Sequence, residues 1–141
     1  MAIIILDTNV ISESLKPAPS RLVVEWQDKQ EVEDLYITAV SEAELRLGVR
    51  IMPVGRRRSS LSSAIDIIIE NEFPGRVLPF DHAAARHFAE ISAYRRAIGR
   101  PIRELDCQIV AIARACGAAV ATRNVADFIE CGVPIINPWQ P

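Results

Sequence analysis

The chain opens with an unbroken run of large apolar residues, IIIL at positions 3–6, followed at once by Asp7, Thr8 and Asn9. Such a run is typical of a strand buried on both faces, as in a parallel sheet. Parallel sheets bind ligands just beyond the carboxyl ends of their strands. The sequence therefore predicts that Asp7 lies at such an edge. There it either caps the next helix or contributes to a ligand site.

Length and composition limit the protein classes to consider. With 141 residues, half of them hydrophobic, the chain is expected to form a single domain over residues 1–141. No apolar run has the length of a membrane span, and no secretion signal precedes the first strand. The formal charge of −2 argues against binding duplex DNA by bulk electrostatics. Only Lys16 and Lys29 are lysines, and the excess of arginine suits phosphate recognition.

The three cysteines, Cys107, Cys116 and Cys131, form no CxxC pair, so a structural zinc site is not expected. Cys116 falls on an apolar helix face, where we expect it to fill the core. An odd number of cysteines without a secretion signal fits the reducing cytoplasm.

Strand and helix patterns alternate along the chain. Strands are predicted at residues 2–6, 35–37, 77–80, 118–121 and 133–136. Helices are predicted at 21–30, 39–51, 57–72, 82–98 and 103–116, with Ser20 and Asp81 as N-caps. This alternation predicts an α/β fold with a central, mainly parallel sheet and helices on both faces.

Asp106 begins the helix predicted at 103–116. On a helical wheel it lies at the edge of an apolar stripe formed by Leu105, Ile109, Ile112 and Cys116. From that position the Asp106 side chain reaches the sheet edge while the apolar residues of the stripe pack in the core. The alternative is an acid that only stabilises the helix dipole from the first turn.

The helix predicted at 39–51 carries two acids, Glu42 and Glu44. Glu44 falls within its main apolar stripe, and Glu42 lies nearly opposite; the stripe is Val40, Ala43, Leu47 and Ile51. A carboxylate on a buried face is rare unless it is paired or binds a metal, which favours Glu44. Leu45 and Val49 form a second stripe near Glu42, so the wheel does not decide alone.

The strand predicted at 118–121 is also followed by polar residues. Thr122 and Asn124 are placed to orient water or a metal ligand, and Asp127 is either a ligand or a helix cap. Converging carboxylates repel one another, and Mg²⁺ or Mn²⁺ removes that repulsion because such ions prefer carboxylate oxygens. His82 and His87 lie together in one Ala-rich helix and offer no alternative site.

The motifs in this order resemble the PIN-domain ribonucleases, in particular VapC-type toxins of the FitB-like branch. The resemblance rests on LDTNVISE at 6–13, AELRLGV at 43–49, VLPFD at 77–81, LDCQIVAIA at 105–113, VATRN at 120–124 and NPW at 137–139. It implies a metal-dependent endoribonuclease that hydrolyses phosphodiester bonds of single-stranded or structured RNA.

The resemblance also assigns residues. Asp7, Glu44 and Asp106 match the family's acidic metal ligands, with Thr122 beside them. The position after Thr-Arg is often Asp in the family but is Asn124 here. Asp127 either compensates for this change or the second metal binds weakly, so one Mg²⁺ or Mn²⁺ is expected in the free protein and a second with substrate.

The implied partners are an RNA substrate, a second copy of the chain and a cognate antitoxin that carries a DNA-binding domain. DNA would then be bound only through the antitoxin, and no membrane is involved. The basic run Arg56-Arg57-Arg58 has three interpretations: it holds RNA phosphates, meets an acidic antitoxin segment, or is a solvated helix start.

Three other protein classes are alternatives. A metal-binding interaction or regulatory module without nuclease activity would carry the same acids. A receiver-like domain needs a lysine at a late strand end, where this chain has none. A DNA nuclease of the flap-endonuclease type is larger and carries extra DNA-gripping elements. Cleavage of RNA with added metal separates the enzyme from the interaction module.

Overall fold

The computed structural model describes residues 2–141, which form a five-stranded, all-parallel sheet in the order β3-β2-β1-β4-β5. The strands are β1 (Ile4–Leu6), β2 (Leu35–Thr38), β3 (Val77–Leu78), β4 (Ala119–Ala121) and β5 (Ile135–Ile136). The predicted α/β architecture is confirmed, and the sheet is entirely rather than mainly parallel. Because every strand runs the same way, all carboxyl ends lie at one edge.

Six α-helices connect these strands within residues 2–141. They are α1 (Thr8–Ser14), α2 (Arg21–Asp28), α3 (Ala39–Arg50), α4 (Arg56–Ile67), α5 (His82–Ala97) and α6 (Glu104–Cys116). None of the helices in this range has both the length and the continuous apolar character needed to cross a membrane.

The central strand β1 is buried on both faces, as its sequence predicts. Ile5 and Val120 belong to a core cluster shared with α5 and α6, whereas Ile4, Leu6 and Ala121 belong to a second cluster shared with α1, α2 and α4. Alternate residues of each strand thus meet opposite helix layers. This double burial fixes the register of β1, and therefore the position of the residue that follows it.

Several predicted boundaries were wrong. Helix α1 was not predicted, because its first turn is polar and only Val10 and Ile11 mark its apolar face. The helix predicted at 57–72 is instead α4 followed by a π-helical turn, Ile68–Glu72. The last strand has two residues rather than four.

The predicted caps had mixed outcomes. Asp81 caps α5, accepting from the Ala84 amide at 3.0 Å. Ser20 precedes α2, but its side chain makes no capping bond. Its backbone amide instead donates to the buried carboxylate of Glu13, at 2.8 Å. The acid of α1 therefore fixes the connection into α2.

Cys116 is exposed, so the prediction that it fills the core was wrong. It is the last residue of α6 and lies beyond the segment that packs on the sheet. Cys107 and Cys131 are the buried thiols. Burial raises the pKa of Cys107 to about 11 and raises that of Cys131, which keeps both thiols protonated at neutral pH.

Candidate active site

Asp7 directly follows the central strand and begins α1. Its backbone amide donates to the Ala121 carbonyl of the neighbouring strand at 2.9 Å, which fixes its place at the sheet edge. One carboxylate oxygen, Oδ1, accepts from the Thr8 amide at 2.8 Å and so caps α1. The two predicted roles of Asp7, helix cap and member of a polar site, are therefore combined in one residue.

The other oxygen of Asp7 is held from β4. Thr122, fully buried just beyond that strand, donates its hydroxyl to Oδ2 at 2.8 Å. The same hydroxyl oxygen accepts from the Asn124 amide at 3.1 Å and from Asn9 Nδ2 at 3.2 Å, and Asn9 Nδ2 also lies 3.1 Å from Asp7 Oδ2. Thr122 thus orients the carboxylate, consistent with the orienting role predicted for it.

Glu44 faces this site from α3. Its Oε1 accepts from the Thr8 hydroxyl at 2.7 Å, and the Ser41 hydroxyl lies 2.8 Å from the same Thr8 oxygen. Glu42, in contrast, pairs with Arg46 at 2.8 Å, away from the site. The structure therefore brings Glu44 to Asp7 and leaves Glu42 outside.

The wheel argument that favoured Glu44 was nevertheless wrong. Leu47 and Ile51, assigned to the buried stripe, are 62% and 76% exposed. The buried residues of α3 are Val40, Ser41 and Leu45, of which only Val40 belongs to the predicted stripe. Around the helix Glu44 falls between Val40 and Ser41, and its half-buried carboxylate reaches the site through Thr8.

Asp106 enters the site from the first turn of α6 and is 8% exposed. The predicted stripe was wrong in Leu105 and Cys116, which are exposed, and Asp106 lies within the buried face of α6 rather than at its edge. Arg103 lies between two acids, with its guanidinium 3.9 Å from Asp106 Oδ2 and 4.0 Å from Glu44 Oε2. This arginine was not identified from the sequence.

These side chains surround an open cavity of about 350 Å³ at the carboxyl edge of the sheet. Acids form its floor and basic residues its rim; the lining is Asp7, Thr8, Asn9, Ser12, Glu13, Lys16, Glu44, Arg103, Asp106, Arg123, Asn124 and Trp139. Within residues 2–141, no three His, Cys, Asp or Glu side chains converge closely enough to hold an ion by themselves. An ion here would need water or substrate oxygens to complete its shell.

The carboxylates perturb one another. Burial raises the pKa of Asp7 to about 6; hydrogen bonds from Thr122 and Thr8 oppose this shift, and the charges of Asp106 and Glu44 add to it. Burial also raises the pKa of Asp106, partly offset by Arg103. Burial and the repulsion between neighbouring acids therefore both oppose the ionised forms of Asp7 and Asp106.

The two remaining predicted residues lie at the periphery. Asn124 is exposed and lines the cavity, and its amide bonds to Thr122. Asp127 is exposed in the 3-10 turn Val125–Phe128 and does not line the cavity. It acts on the site through its charge, which raises the pKa of Asp106. No side-chain capping bond is made at this turn, so the predicted capping role is not seen, and the role of Asp127 as a ligand stays a prediction.

Sequence reasoning left several cavity residues unassigned. Thr8 and Asn9 adjoin Asp7, and that adjacency was the available signal. Glu13 and Lys16 form an ion pair of 2.9 Å on the rim, which their i,i+3 spacing in the chain indicates. The same i,i+3 spacing joins Arg103 to Asp106, but the approach of Arg103 to Glu44 depends on the packing of α6 against α3.

The fold and the site can be compared with known proteins. The sequence profile of the PIN domain matches residues 4–130, which include the whole acidic site. The chain belongs to the PIN-domain family. Among relatives, it is 44% identical over 138 residues to VapC ribonuclease Y4jK of Sinorhizobium fredii, covering 98% of this chain and 99% of that one. It is 41% identical to toxin FitB of Neisseria gonorrhoeae, covering 97% and 99%.

Solved structures of PIN proteins agree in fold. A structure of FitAB bound to an IR36 DNA fragment has a TM-score of 0.91 at 40% identity, covering 97% of this chain and 96% of that one. The FitAcB structure from Neisseria gonorrhoeae has a TM-score of 0.89 at 39% identity. The predicted resemblance to the VapC-type PIN proteins and their FitB-like branch is confirmed.

Proposed function

We propose that this PIN protein is a metal-dependent endoribonuclease toxin that hydrolyses RNA phosphodiester bonds. The observation that carries the proposal is the meeting of Asp7, Glu44 and Asp106, from three distant segments, around one open cavity rimmed by basic side chains. An acidic floor suits a hard divalent ion, and a basic rim suits a phosphate backbone. Relatives named as ribonucleases support the same activity.

The residues present fit Mg²⁺ or Mn²⁺. Asp7, Asp106 and Glu44 supply hard oxygen ligands, and a bound cation would offset the burial and repulsion that raise the pKa of Asp7. Their spacing leaves part of the ion's shell to water and substrate phosphate, the arrangement Mg²⁺ favours. Such an ion, when bound, lowers the pKa of a water and stabilises charge on the phosphate.

The surrounding side chains have defined tasks in this proposal. Hydrogen bonds from Thr122 and Asn9 fix the orientation of the Asp7 carboxylate. A hydrogen bond from Thr8 does the same for the Glu44 carboxylate. Arg103 partly neutralises Asp106 and Glu44, and its exposed guanidinium is free to turn toward a substrate phosphate. Asn124 contributes a neutral amide where a fourth carboxylate would strengthen a second ion.

Metal binding should depend on pH. In calorimetric titration at pH 7 we expect one Mn²⁺ per chain without RNA. The affinity should be about tenfold weaker at pH 5, because Asp7, with its pKa of about 6, must lose a proton to bind the ion. Asp7→Asn should abolish this binding. An affinity independent of pH, or two equally tight sites, would contradict the assignment.

We also propose that the protein is a single cytoplasmic domain and that it forms a homodimer and binds a DNA-binding antitoxin. The solved FitAB complex with DNA supports such a partner. An apolar groove between α1, α3 and α4 ends beside Thr8 and Glu44 and suits a partner segment; it is lined by Leu15, Leu45, Val49, Met52, Leu61 and Ile65 among others. Leu47, Ile51 and Val54 are exposed nearby.

The activity is tested with purified full-length protein and RNA. We expect single-stranded RNA to be cut internally when Mg²⁺ or Mn²⁺ is present and to stay intact when EDTA removes the metal. Induced expression should arrest growth, and coexpression of the antitoxin gene should relieve the arrest. Intact RNA under all metal conditions would favour the interaction module without nuclease activity.

A further inference from the structure

One wall of the cavity carries an arginine stacked on a tryptophan. The guanidinium carbon of Arg123 lies 5.1 Å from the centroid of the Trp139 ring. Both side chains line the same cavity as the three acids. Trp139 is half-buried and packs against the core cluster on the β5 side. The aromatic face beneath Arg123 is therefore a fixed surface rather than a mobile one.

Arg123 is fixed at its backbone as well. Its amide donates to Asn9 Oδ1 at 3.2 Å, and Asn9 also donates to Asp7 Oδ2 at 3.1 Å. Trp139 is held in turn by its own amide, which donates to Asn137 Oδ1 at 2.9 Å. The arginine is thus linked at both ends to the frame of the site. A side chain restrained in this way loses little conformational entropy when it binds a ligand.

The charge of Arg123 is available. Within residues 2–141 it forms no ion pair, whereas Arg103 lies near Asp106 and Glu44. The acid on the same wall, Glu13, is already bound by Lys16 at 2.9 Å and by the Ser20 amide at 2.8 Å. Among the described residues the charge of Arg123 acts on Glu13 without an ion pair, so its exposed guanidinium is open to an anionic ligand.

We propose that Arg123, positioned by Trp139, binds the RNA phosphate next to the one that is cleaved. This inference rests on the proposed nuclease function. The guanidinium fork matches two phosphate oxygens, and stacking on Trp139 fixes the plane in which it presents them. Since Arg123 covers the ring, Trp139 acts as a positioning residue and not as a platform for a base.

The test measures RNA binding by fluorescence anisotropy, using full-length protein that carries Asp7→Asn so that the RNA stays intact. The probe is a labelled single-stranded RNA oligonucleotide at several NaCl concentrations with Mg²⁺ present. In this background Arg123→Gln should weaken binding at low salt by about tenfold. It should also reduce the slope of log affinity against log salt by about 0.7, the value for one phosphate contact on a single strand.

The matched control is Arg96→Gln, which removes an equal charge from an exposed position on α5. It should leave affinity and slope unchanged. Trp139→Phe keeps an aromatic face and should bind almost as the parent does, whereas Trp139→Leu should weaken binding. The double variant Arg123→Gln with Trp139→Leu should bind RNA little more weakly than Trp139→Leu alone, because both changes remove the same contact between Arg123 and the phosphate. Additive losses, or a slope that Arg123→Gln leaves unchanged, would overturn the proposal.

The position of the phosphate is tested by charge removal. After sequencing of the products locates the cleaved bond, single methylphosphonates replace the neighbouring phosphates one at a time. With Arg123 intact, binding should fall when the flanking phosphate is neutral, and the Arg123→Gln protein should not respond to that replacement. If wild-type protein cuts no RNA, the nuclease proposal fails, while the salt slope still decides whether Arg123 binds a phosphate. If Arg123→Gln weakens antitoxin binding but not RNA binding, the phosphate proposal is overturned.

Discussion

Asp7→Asn should abolish RNA cleavage while the protein remains folded. The substitution removes a ligand charge from the most restrained position of the site, where Thr122 and Thr8 hold both carboxylate oxygens. If the substitution raises the activation barrier by about 4 kcal/mol, the cleavage rate falls by about a thousand-fold. Cleavage of labelled RNA with Mg²⁺ measures it. Asp28→Asn, an exposed change on α2, is the control and should cleave at the wild-type rate.

The same variant has a stability signature that separates loss of a ligand from loss of fold. Asp7 has a pKa of about 6 in the folded protein and an ordinary value of 3.8. In the metal-free wild-type protein, this carboxyl therefore lowers the free energy of unfolding as the pH rises from about 4 to about 6. The free energy of unfolding of Asp7→Asn, measured relative to that of the wild-type protein, should therefore rise by about 3 kcal/mol between pH 4 and pH 8. A constant difference across this range would contradict the burial of an ionisable Asp7.

Glu44→Gln should reduce cleavage by about a hundred-fold, and Glu42→Gln by less than about two-fold. The two acids are two positions apart on α3, yet Glu44 bonds to Thr8 inside the site and Glu42 pairs with Arg46 on the outer surface. Arg46 also holds Asp66 of α4 at 2.8 Å, so it keeps a partner when Glu42 is changed. The loss of one half-exposed ion pair should cost at most about 1 kcal/mol of stability.

Steady-state rates and melting temperatures of both variants decide this comparison. Equal losses of activity, or a larger loss for Glu42→Gln, would contradict the assignment of Glu44. Similar melting temperatures with very different rates would show that α3 remains in place and that the effect arises in the site.

The sheet could be predicted because its signals are local. The unbroken apolar run before Asp7 and the alternation of strand and helix patterns were sufficient for a parallel α/β fold. Helix α1 was missed, since seven residues with a polar first turn show little periodicity. The π-helical turn after α4 was missed because its residues continue the apolar pattern of the helix that precedes it.

The sequence arguments for the three acids of the site differ in strength. Asp7 and Asp106 follow from their places at a strand end and a helix start. Glu44 was selected partly by a wheel whose stripe is exposed in the structure, so the motif resemblance carried that assignment. Arg103 is spaced i,i+3 from Asp106, but its approach to Glu44 joins distant segments, as do the contacts of Arg123 with Asn9 and Trp139.

The order of strands in the sheet determines when the site comes into existence during protein synthesis. Thr122, which orients Asp7, has its amide bound by the Ile136 carbonyl of β5 at 2.9 Å. Translation must pass Ile136, which follows Asp7 by more than a hundred residues, before that support is in place. Until then Asp7, Glu44 and Asp106 are present in the chain without this part of the frame that orders Asp7. A partially synthesised chain that ends before β4 lacks Thr122 and Asn124.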